Sequence, residues 1–260
     1  MYAESWSHLC GLLFEESWQE PLGRFRSHYA YKGLSSSEYM LTTTLMRLRG
    51  DFPAVERHLI RNFKKYAQRD VSTIDSLWNW VALAQHHGLP TRLLDWTYSP
   101  FVALHFATAG HDLGHHDSIV WAIDYVGAHE LLPDRQRKAL REEGSDVWTT
   151  ELLDAHVPTW EALNGLGDGE DVLFFFEPPS LDQRIVNQYA LFSVLSNPSR
   201  TIEEWAGVHP HLAKRIVIPK ELCWEVRDKL DQANINERVL FPGLDGLSMW
   251  LRRHYRQVDR

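Results

Sequence analysis

The sequence has few cysteines, no long apolar run and no basic leader. Its two cysteines, Cys10 and Cys223, are too few for a disulfide framework or a four-cysteine metal site, so we expect a reducing cytoplasm. The first twenty residues contain four glutamates and no Lys or Arg, and no apolar run approaches the length of a membrane span. These absences predict a soluble protein that is not exported.

An excess of basic charge is also absent. The 260 residues contain 27 Lys and Arg against 35 Asp and Glu, a net charge of −8, which argues against a surface that tracks nucleic-acid phosphates. One local basic cluster has the spacing of a solvated helix face: Arg57, Arg61, Lys64, Lys65 and Arg69. With 44% hydrophobic residues, the composition predicts one globular domain over 1–260 with a helical insertion at about 38–87.

Residues 80–107, WVALAQHHGLPTRLLDWTYSPFVALHFA, place many polar side chains in an otherwise apolar run. Buried polar groups need partners or a function, so we interpret this central segment as the wall of a binding site. Helical spacing predicts a helix from Asp75 to His87 that ends before Gly88. On that helical wheel His87 points inward and His86 outward.

The second half of this segment predicts an extended stretch followed by a helix. Residues 91–98 are expected to be extended, and Ser99-Pro100 is a typical N-cap and first position for a helix from Phe101 to Ala109. That helix is apolar nearly all round, so it should be buried. His105 should then find a partner inside the protein.

The remaining patterns predict an α+β protein: a helical N-terminal third followed by small mixed, mostly antiparallel sheets. Helices are predicted at Glu38 to Arg49, Pro53 to Arg69, Pro133 to Glu143, Lys220 to Ala233 and Gly243 to Tyr255. Strands are predicted at Tyr29 to Tyr31, Ile119 to Tyr125, Val172 to Phe176, Tyr189 to Leu195 and Arg215 to Ile218.

Three patterns that suggest other chemistry are incomplete. The glycine-rich run 164–171 lacks the preceding strand and following helix of a dinucleotide fingerprint, so we interpret it as a turn. The adjacent histidine pairs 86–87 and 115–116 lack the further ligands of a metal site. Neither cysteine has a histidine partner that the sequence identifies, which disfavours a thiol hydrolase.

The chain resembles the FRG domain, a bacterial and phage family named after an N-terminal Phe/Tyr-Arg-Gly motif. The resemblance covers most of the chain: AYKGL at 30–34, the central segment, RIVNQYALFSV at 184–194 and VLFPGLDGL at 239–247. At the signature itself Lys32 stands in the arginine position, which keeps the charge but loses the bidentate fork. The resemblance implies a fold family more than an activity.

A weaker resemblance is to the ADP-ribosyltransferases, which have an aromatic-Arg-Gly strand, then a Ser-Thr-Ser strand leading into a helix, then a strand with a catalytic Glu. Tyr31-Lys32-Gly33, Thr97-Tyr98-Ser99 and Gln188 occur here in that order. The resemblance implies NAD as a substrate, with Gln188, Lys32 and His87 as catalytic candidates. The expected NAD contacts are Tyr31, Lys32, Thr91, Arg92, Asp95, Thr97 and Ser99.

Gln188 departs from the pattern of these enzymes. It can hydrogen-bond a ribose hydroxyl, but it cannot stabilise an oxocarbenium-like transition state as a carboxylate does. Either another acid contributes, such as Asp95 or Glu177, or the activity is altered or lost.

Each candidate also has an ordinary structural interpretation. Arg92 and Asp95 are predicted to form a buried ion pair that holds the loop. His87 is equally a satisfied core histidine, Ser99 an N-cap, and Gln188 a surface residue at the start of a strand.

The sequence thus leaves two functions open. The first is an NAD-binding ADP-ribosyltransferase-like enzyme, a toxin or phage-conflict effector that cleaves the nicotinamide glycosidic bond and uses no metal. The second is a non-catalytic module that keeps the cleft to recognise a nucleotide or peptide. The acceptor in the first case is a protein, a nucleic acid or water.

Overall fold

A computed structural model describes residues 1–67, 76–109, 115–180 and 182–257. Apolar runs of strand length form the centre of the molecule. Arg69 of the basic cluster and Asp75, the predicted start of a helix, lie outside the described residues. The fold is α+β, as predicted. None of the described helices is both long and apolar enough to cross a membrane.

The described strands form a two-stranded hairpin and one larger sheet. The hairpin pairs β1 (Trp18–Gln19) with β2 (Arg24–Phe25). The larger sheet contains β3 (Tyr29–Leu34), β4 (Leu94–Thr97), β5 (Ser118–Asp124), β6 (Trp148–Thr149), β7 (Leu173–Glu177), β8 (Ala190–Leu195) and β9 (Ala213–Ile218). Its order is β6-β7-β8-β4-β3-β5-β9, and all neighbours are antiparallel except β6 and β7. The expected antiparallel pairing is correct, but it builds one large sheet rather than several small ones.

Helices surround this sheet. In chain order they are α1 (Trp6–Phe14), α2 (Phe52–Ala67), α3 (Leu77–His86), α4 (Pro100–Ala107), α5 (Tyr125–Glu130), α6 (Asp134–Glu143), α7 (Thr150–His156), α8 (Trp160–Asn164), α9 (Gln183–Asn187), α10 (Ile202–Val208), α11 (Cys223–Gln232), α12 (Glu237–Leu240) and α13 (Leu244–His254). Ser99 caps α4 by accepting a hydrogen bond from the Val102 amide, as the sequence predicts.

Successive residues of a strand face opposite sides of the sheet, which produces three apolar clusters. Phe174 and Phe176 of β7 pack with α3, α7 and α8, whereas Phe175 packs on the other side with α5 and α10. Val120 and Ala122 of β5 pack with α1, α4 and α11. The strand register places this last cluster on the same face as Phe174 and Phe176. Two groups of helices therefore share one face and leave a gap above β4.

The prediction of a helix from Glu38 to Arg49 is wrong. The prediction of a helical N-terminal third is wrong as well, because this part of the chain also contains β1 to β3. Only a 3-10 turn, Met46–Leu48, forms between Glu38 and Arg49. The run Thr42-Thr43-Thr44 is β-branched and hydroxylated, and the side chains of Thr43 and Thr44 bind the backbone instead. Thr44 Oγ1 donates to the Thr91 carbonyl and accepts from the Thr91 amide, which ties this segment to the central one.

Candidate functional site

A cavity of about 790 Å³ occupies the gap above β4. Its wall includes residues from β3 and the loop after it, the end of α3, β4, α4, α9 and the start of β8. The central segment thus supplies part of a concave surface. The sequence-predicted residues in this wall are Tyr31, Lys32, His87, Asp95, Thr97 and Gln188.

Gly33 brings α4 close to the cavity. A Cβ atom at this position would lie 1.9 Å from the carbonyl oxygen of Ala103 and 2.5 Å from the amide nitrogen of Ala107. Only glycine therefore lets α4 pack directly on β3. This contact sets the position of Phe106, whose ring lines the cavity.

Lys32 supplies a cation to the cavity wall. Its Nζ donates a 2.8 Å hydrogen bond to the backbone carbonyl of Asp95. Burial lowers the pKa of the Lys32 ammonium, and Arg47 lowers it further, whereas the Asp95 carboxylate opposes both effects. An anionic ligand group bound to the Lys32 ammonium would replace the water molecules that this ammonium loses on burial.

Asp95 is the acid that the cavity wall contains. Its side chain is exposed, and its Oδ2 accepts a 2.8 Å hydrogen bond from Gln85 Nε2. Gln85 in turn accepts from the Thr91 hydroxyl through its Oε1. Thr91 is buried behind this relay, so it orients Gln85 and Asp95 and is not part of the wall.

Thr97 and Gln188 are joined directly. Thr97 Oγ1 donates a 2.7 Å hydrogen bond to the Gln188 carbonyl and accepts one from the Ser99 amide at 3.0 Å. The Gln188 side chain donates through Nε2 to the Leu240 carbonyl at 3.0 Å. The Oε1 atom of Gln188 has no hydrogen-bond partner in the part of the chain that the structure describes.

The sequence predicted that Gln188 lies at the start of a strand, but Gln188 is the C-cap of α9. Strand β8 begins only at Ala190, because Tyr189 has a positive φ of 50°. Asn187 Nδ2 also donates to the Val239 carbonyl, at 2.7 Å. The RIVNQ and VLFPG segments are therefore hydrogen-bonded to each other at the cavity.

The predicted orientations of the two histidines are wrong. His86 is the more buried, and its Nε2 lies 2.7 Å from Asp182 Oδ2, whereas His87 is exposed. The helix ends at His86, and His87 turns away from the wheel as the C-cap with φ −88° and ψ 10°. His87 still borders the cavity, from its rim.

Arg92 lies outside the cavity, and its predicted pairing with Asp95 is wrong. Its Nε donates to both carboxylate oxygens of Glu56 at 2.8 Å, and its Nη1 donates to Asn164 Oδ1 at 2.8 Å. The guanidinium also stacks over Trp160 at 4.2 Å. Arg92 thus ties the segment before β4 to α2 and α8, and it is not part of the cavity wall.

Two further expected NAD contacts serve the fold. Tyr31 borders the cavity, but it is only 2% exposed and its hydroxyl donates to the Leu13 carbonyl. Ser99 caps α4 and is not in the cavity wall. The alternative acid Glu177 is also outside the wall, and its Oε1 accepts from the Tyr98 hydroxyl at 3.0 Å.

The cavity wall also contains Gln85, Tyr39 and Arg184, which were not among the predicted site residues. The signals were present: Gln85 lies in the polar central segment, and Arg184 begins the RIVNQ motif. Arg184 stacks over the Phe241 ring at 5.1 Å and adds a second cation to the wall. Within the described ranges, no group of three or more His, Cys, Asp or Glu is placed to hold a metal ion.

Of three comparisons of this chain with known proteins, one found a match. No curated protein and no solved structure matches it. A family model does match residues 27–115, the part that supplies β3, α3, β4 and α4 to the cavity. This match includes AYKGL and the central segment but neither of the two later motifs. The matching model is that of the FRG domain, to which residues 27–115 are similar.

Proposed function

We propose that the cavity above β4 binds NAD or a closely related nucleotide, and that the chain is an ADP-ribosyltransferase-like enzyme that cleaves the nicotinamide glycosidic bond. The observation that carries this proposal is the convergence of Lys32, Asp95, Thr97 and Gln188 on one cavity. Asp95 and Thr97 are both on β4, whereas Lys32 and Gln188 are far from them in sequence and belong to β3 and to the start of β8, the two strands beside β4. Polar groups gathered in this way in a concave site are typical of a ligand pocket.

The arrangement of the strands supports the proposed relation to ADP-ribosyltransferases. The Tyr31-Lys32-Gly33 motif is on β3, Thr97-Tyr98-Ser99 follows β4, and Gln188 precedes β8. These three strands are adjacent, in the order β8-β4-β3. Motifs that occur in the expected order along the chain therefore also lie side by side in the sheet.

The walls fit the parts of a nucleotide. The volume of about 790 Å³ is within the usual range for small-molecule sites. The Lys32 ammonium suits a diphosphate, and the rings of Tyr39, Phe106 and Phe192 offer apolar surface to a base or to nicotinamide. Gln188 Oε1 suits a ribose hydroxyl.

The proposed reaction breaks the bond between the ribose C1′ and the nicotinamide ring nitrogen. The bonding electron pair leaves with nicotinamide and neutralises its ring charge. An acceptor oxygen or nitrogen then forms a bond to C1′ and gives up its proton to water. The Asp95 carboxylate is the acid available in the wall to stabilise the positive charge that develops on the ribose.

Two contacts favour a second candidate, a recognition module without catalysis. The Thr97 hydroxyl donates to the Gln188 carbonyl and the Gln188 amide donates to Leu240, so both polar groups are already engaged within the protein. Such a site is rigid and can bind a nucleotide without acting on it. A peptide ligand remains the other occupant of the same cavity under this candidate.

The deciding experiment incubates the protein with NAD and measures released nicotinamide by mass spectrometry, alongside NAD binding by calorimetry. Release by the wild type supports the enzyme, NAD binding without release supports the module, and absence of both contradicts the nucleotide proposal. Asp95→Asn keeps the acceptor for Gln85 but removes the charge. It should abolish release and leave NAD affinity within about tenfold, roughly 1.4 kcal/mol.

Gln188→Ala tests the other catalytic candidate by the same two measurements. We expect loss of release with NAD affinity again within about tenfold, because the residue would act mainly on the transition state. Asp134→Asn, at the exposed start of α6, is the matched control and should change neither measurement. If Asp95→Asn releases nicotinamide at the wild-type rate, Asp95 has no catalytic role.

A further inference from the structure

Three tyrosine rings cluster outside the candidate site, on the side of the sheet where Phe175 packs. Tyr98 follows β4, Tyr189 precedes β8, and Tyr125 begins α5. The centroid of the Tyr98 ring lies 4.9 Å from that of Tyr189 and 5.7 Å from that of Tyr125. None of the three tyrosines lines the cavity above β4, and no step of the proposed reaction uses them.

The backbone of Tyr189 holds an exposed ring against Tyr98. The Tyr98 amide donates a 3.1 Å hydrogen bond to the Tyr189 carbonyl. Tyr189 has a positive φ of 50°, a conformation that is unfavourable for a residue with a side chain. Because the Tyr189 side chain is 60% exposed, burial of its ring does not compensate for this conformation. Backbone strain of this kind is concentrated at functional sites.

A carboxylate lies beside the rings. Glu177 ends β7 with an exposed side chain, and its Oε1 accepts a 3.0 Å hydrogen bond from the Tyr98 hydroxyl. Among the described residues, Glu177 Oε2 has no hydrogen-bond partner and the carboxylate has no ion pair. Tyr98 therefore orients a charge that the described chain does not compensate. We call Tyr98, Tyr125, Tyr189 and Glu177 the tyrosine patch.

The electrostatic environment of the tyrosine patch is acidic. Burial raises the pKa of Tyr125 to about 12, and the carboxylates of Asp146, Glu177 and Asp124 add to this shift. Burial also raises the pKa of Tyr98, and Glu177 contributes there. Within the described ranges, no Lys or Arg pairs with these three acids or lies over the three rings. The patch therefore combines aromatic faces with negative charge, and both attract a cation.

We propose that the tyrosine patch binds the guanidinium of an arginine side chain from a partner protein. A guanidinium is planar, so it can stack on the exposed Tyr189 ring and also donate hydrogen bonds to the Glu177 carboxylate. The ammonium of a lysine cannot do both in this way. The chain itself contains this arrangement: Arg92 stacks over Trp160 at 4.2 Å while it donates to Glu56 at 2.8 Å.

The charge of the tyrosine patch also limits the partner. The carboxylates of Glu177, Asp146 and Asp124 repel phosphate groups, so a nucleic acid or an anionic membrane does not fit this surface. A free guanidino compound carries the same cation as a protein-borne arginine. The two sources are distinguished by whether neighbouring peptide groups increase the affinity.

The test uses nuclear magnetic resonance of protein with ¹³C-labelled tyrosine rings. It is titrated with N-acetyl-arginine amide, with the lysine and citrulline counterparts, and with a peptide that carries one arginine between glycines. We expect a saturable shift of the Tyr98 and Tyr189 ring resonances with the arginine ligands. The lysine ligand should bind roughly fivefold more weakly, and citrulline, the neutral isostere, should not bind.

Each outcome of the titration decides a point. Tighter binding of the peptide than of N-acetyl-arginine amide supports a partner protein, whereas equal affinities would assign the patch to free guanidino compounds. Unchanged tyrosine resonances with the arginine ligands overturn the proposal. Equal shifts with arginine and citrulline would also overturn it, because the charge would then play no role.

Variants identify the groups that bind. Glu177→Gln should weaken arginine binding by roughly fivefold or more, because it removes the charge that the guanidinium pairs with. Glu151→Gln, at an exposed position of α7, is the matched control and should not change the affinity. Equal affinities of Glu177→Gln and the wild type would contradict the proposed carboxylate contact.

Tyr189→Asn removes the exposed ring and keeps a residue that tolerates the left-handed backbone. It should weaken arginine binding by roughly fivefold, read from the Tyr98 resonance, whereas Tyr255→Asn at the exposed end of α13 should not. Lys32→Met should bind the arginine ligands as the wild type does, because the tyrosine patch shares no residue with the cavity. Loss of arginine binding in Lys32→Met would contradict a separate site.

Discussion

The ammonium of Lys32 and the backbone carbonyl of Asp95 are joined by a hydrogen bond of 2.8 Å. This bond crosses from β3 to β4 and holds the cation beside the Asp95 carboxylate, which Gln85 fixes from the other side. The cavity thus combines an oriented cation and an oriented anion. A ligand with both a phosphate and a developing positive charge would find complementary groups in one site.

The first prediction concerns the charge of Lys32. Lys32→Met should weaken NAD binding at least tenfold, about 1.4 kcal/mol, because the ligand loses its cation in a wall that excludes water. Lys32→Arg should bind as tightly as the wild type or more tightly, since a guanidinium makes two bonds to a phosphate. Isothermal calorimetry with NAD measures both.

Lys138→Met is the matched control for this series. Lys138 is exposed on α6 and pairs only at the surface with Glu142. It should bind NAD as the wild type does. Equal affinities for Lys32→Met and Lys138→Met would make Lys32 a structural residue that only supports β4.

The second prediction concerns Gly33. Gly33→Ala should destabilise the protein by roughly 3 kcal/mol, because the new Cβ overlaps the backbone of α4 and no side-chain movement relieves it. Gly11→Ala, in α1, meets nothing within 4 Å and should stabilise by about 0.5–1 kcal/mol. Urea unfolding of both variants is the measurement. A Gly33→Ala protein as stable as the wild type would mean that α4 does not depend on this contact.

Local patterns in the sequence predicted the elements that local forces decide. Runs of strand length rich in β-branched and aromatic residues marked β5, β7 and β9, and Ser99-Pro100 marked the start of α4, because strand propensity and capping act between near neighbours. The central segment also predicted part of the cavity wall, since one continuous stretch supplies Gln85, Asp95 and Thr97.

Contacts between distant residues were not predictable in this way. Glu56, the true partner of Arg92, is 36 residues away, and nothing in the spacing distinguishes it from Asp95. Leu240, which holds Gln188, is 52 residues away. The positive φ of Tyr189 also turned an expected strand start into a helix end. Tertiary packing decided each of these cases.

The third prediction concerns the buried ion pair of Arg92 and Glu56. Arg92→Met should destabilise the protein by about 3–5 kcal/mol, because it leaves the Glu56 carboxylate buried without its cation. The double variant Glu56→Gln/Arg92→Met should lose less than the sum of the single changes. Arg57→Met is the control: its pair with Glu161 is exposed, so it should cost about 1 kcal/mol or less. Additive losses in the double variant would show that the pair is not coupled.

The last prediction concerns pH and the buried histidines. Burial lowers the pKa of His129 to about 4 and that of His105 to about 3. His129 Nε2 accepts a 2.9 Å hydrogen bond from the Phe175 amide, so its Nδ1 carries the proton and donates to the Asp146 carbonyl at 2.9 Å. Protonation of Nε2 would remove the acceptor that β7 uses.

Because both folded-state pKa values lie below the unfolded value of about 6.5, the unfolded chain binds more protons in acid. The stability that the neutral histidines contribute is fully present above pH of about 6.5 and is lost as the pH falls toward about 4. Each histidine should lower the free energy of unfolding by up to about 1.4 kcal/mol per pH unit in this window.

Urea unfolding at a series of pH values tests this pH dependence. His129→Gln, whose amide can both donate and accept, should reduce the slope, whereas the exposed His58→Gln should not. A free energy of unfolding that stays constant from pH of about 6.5 to 5 would mean that neither imidazole is as desolvated as its contacts indicate.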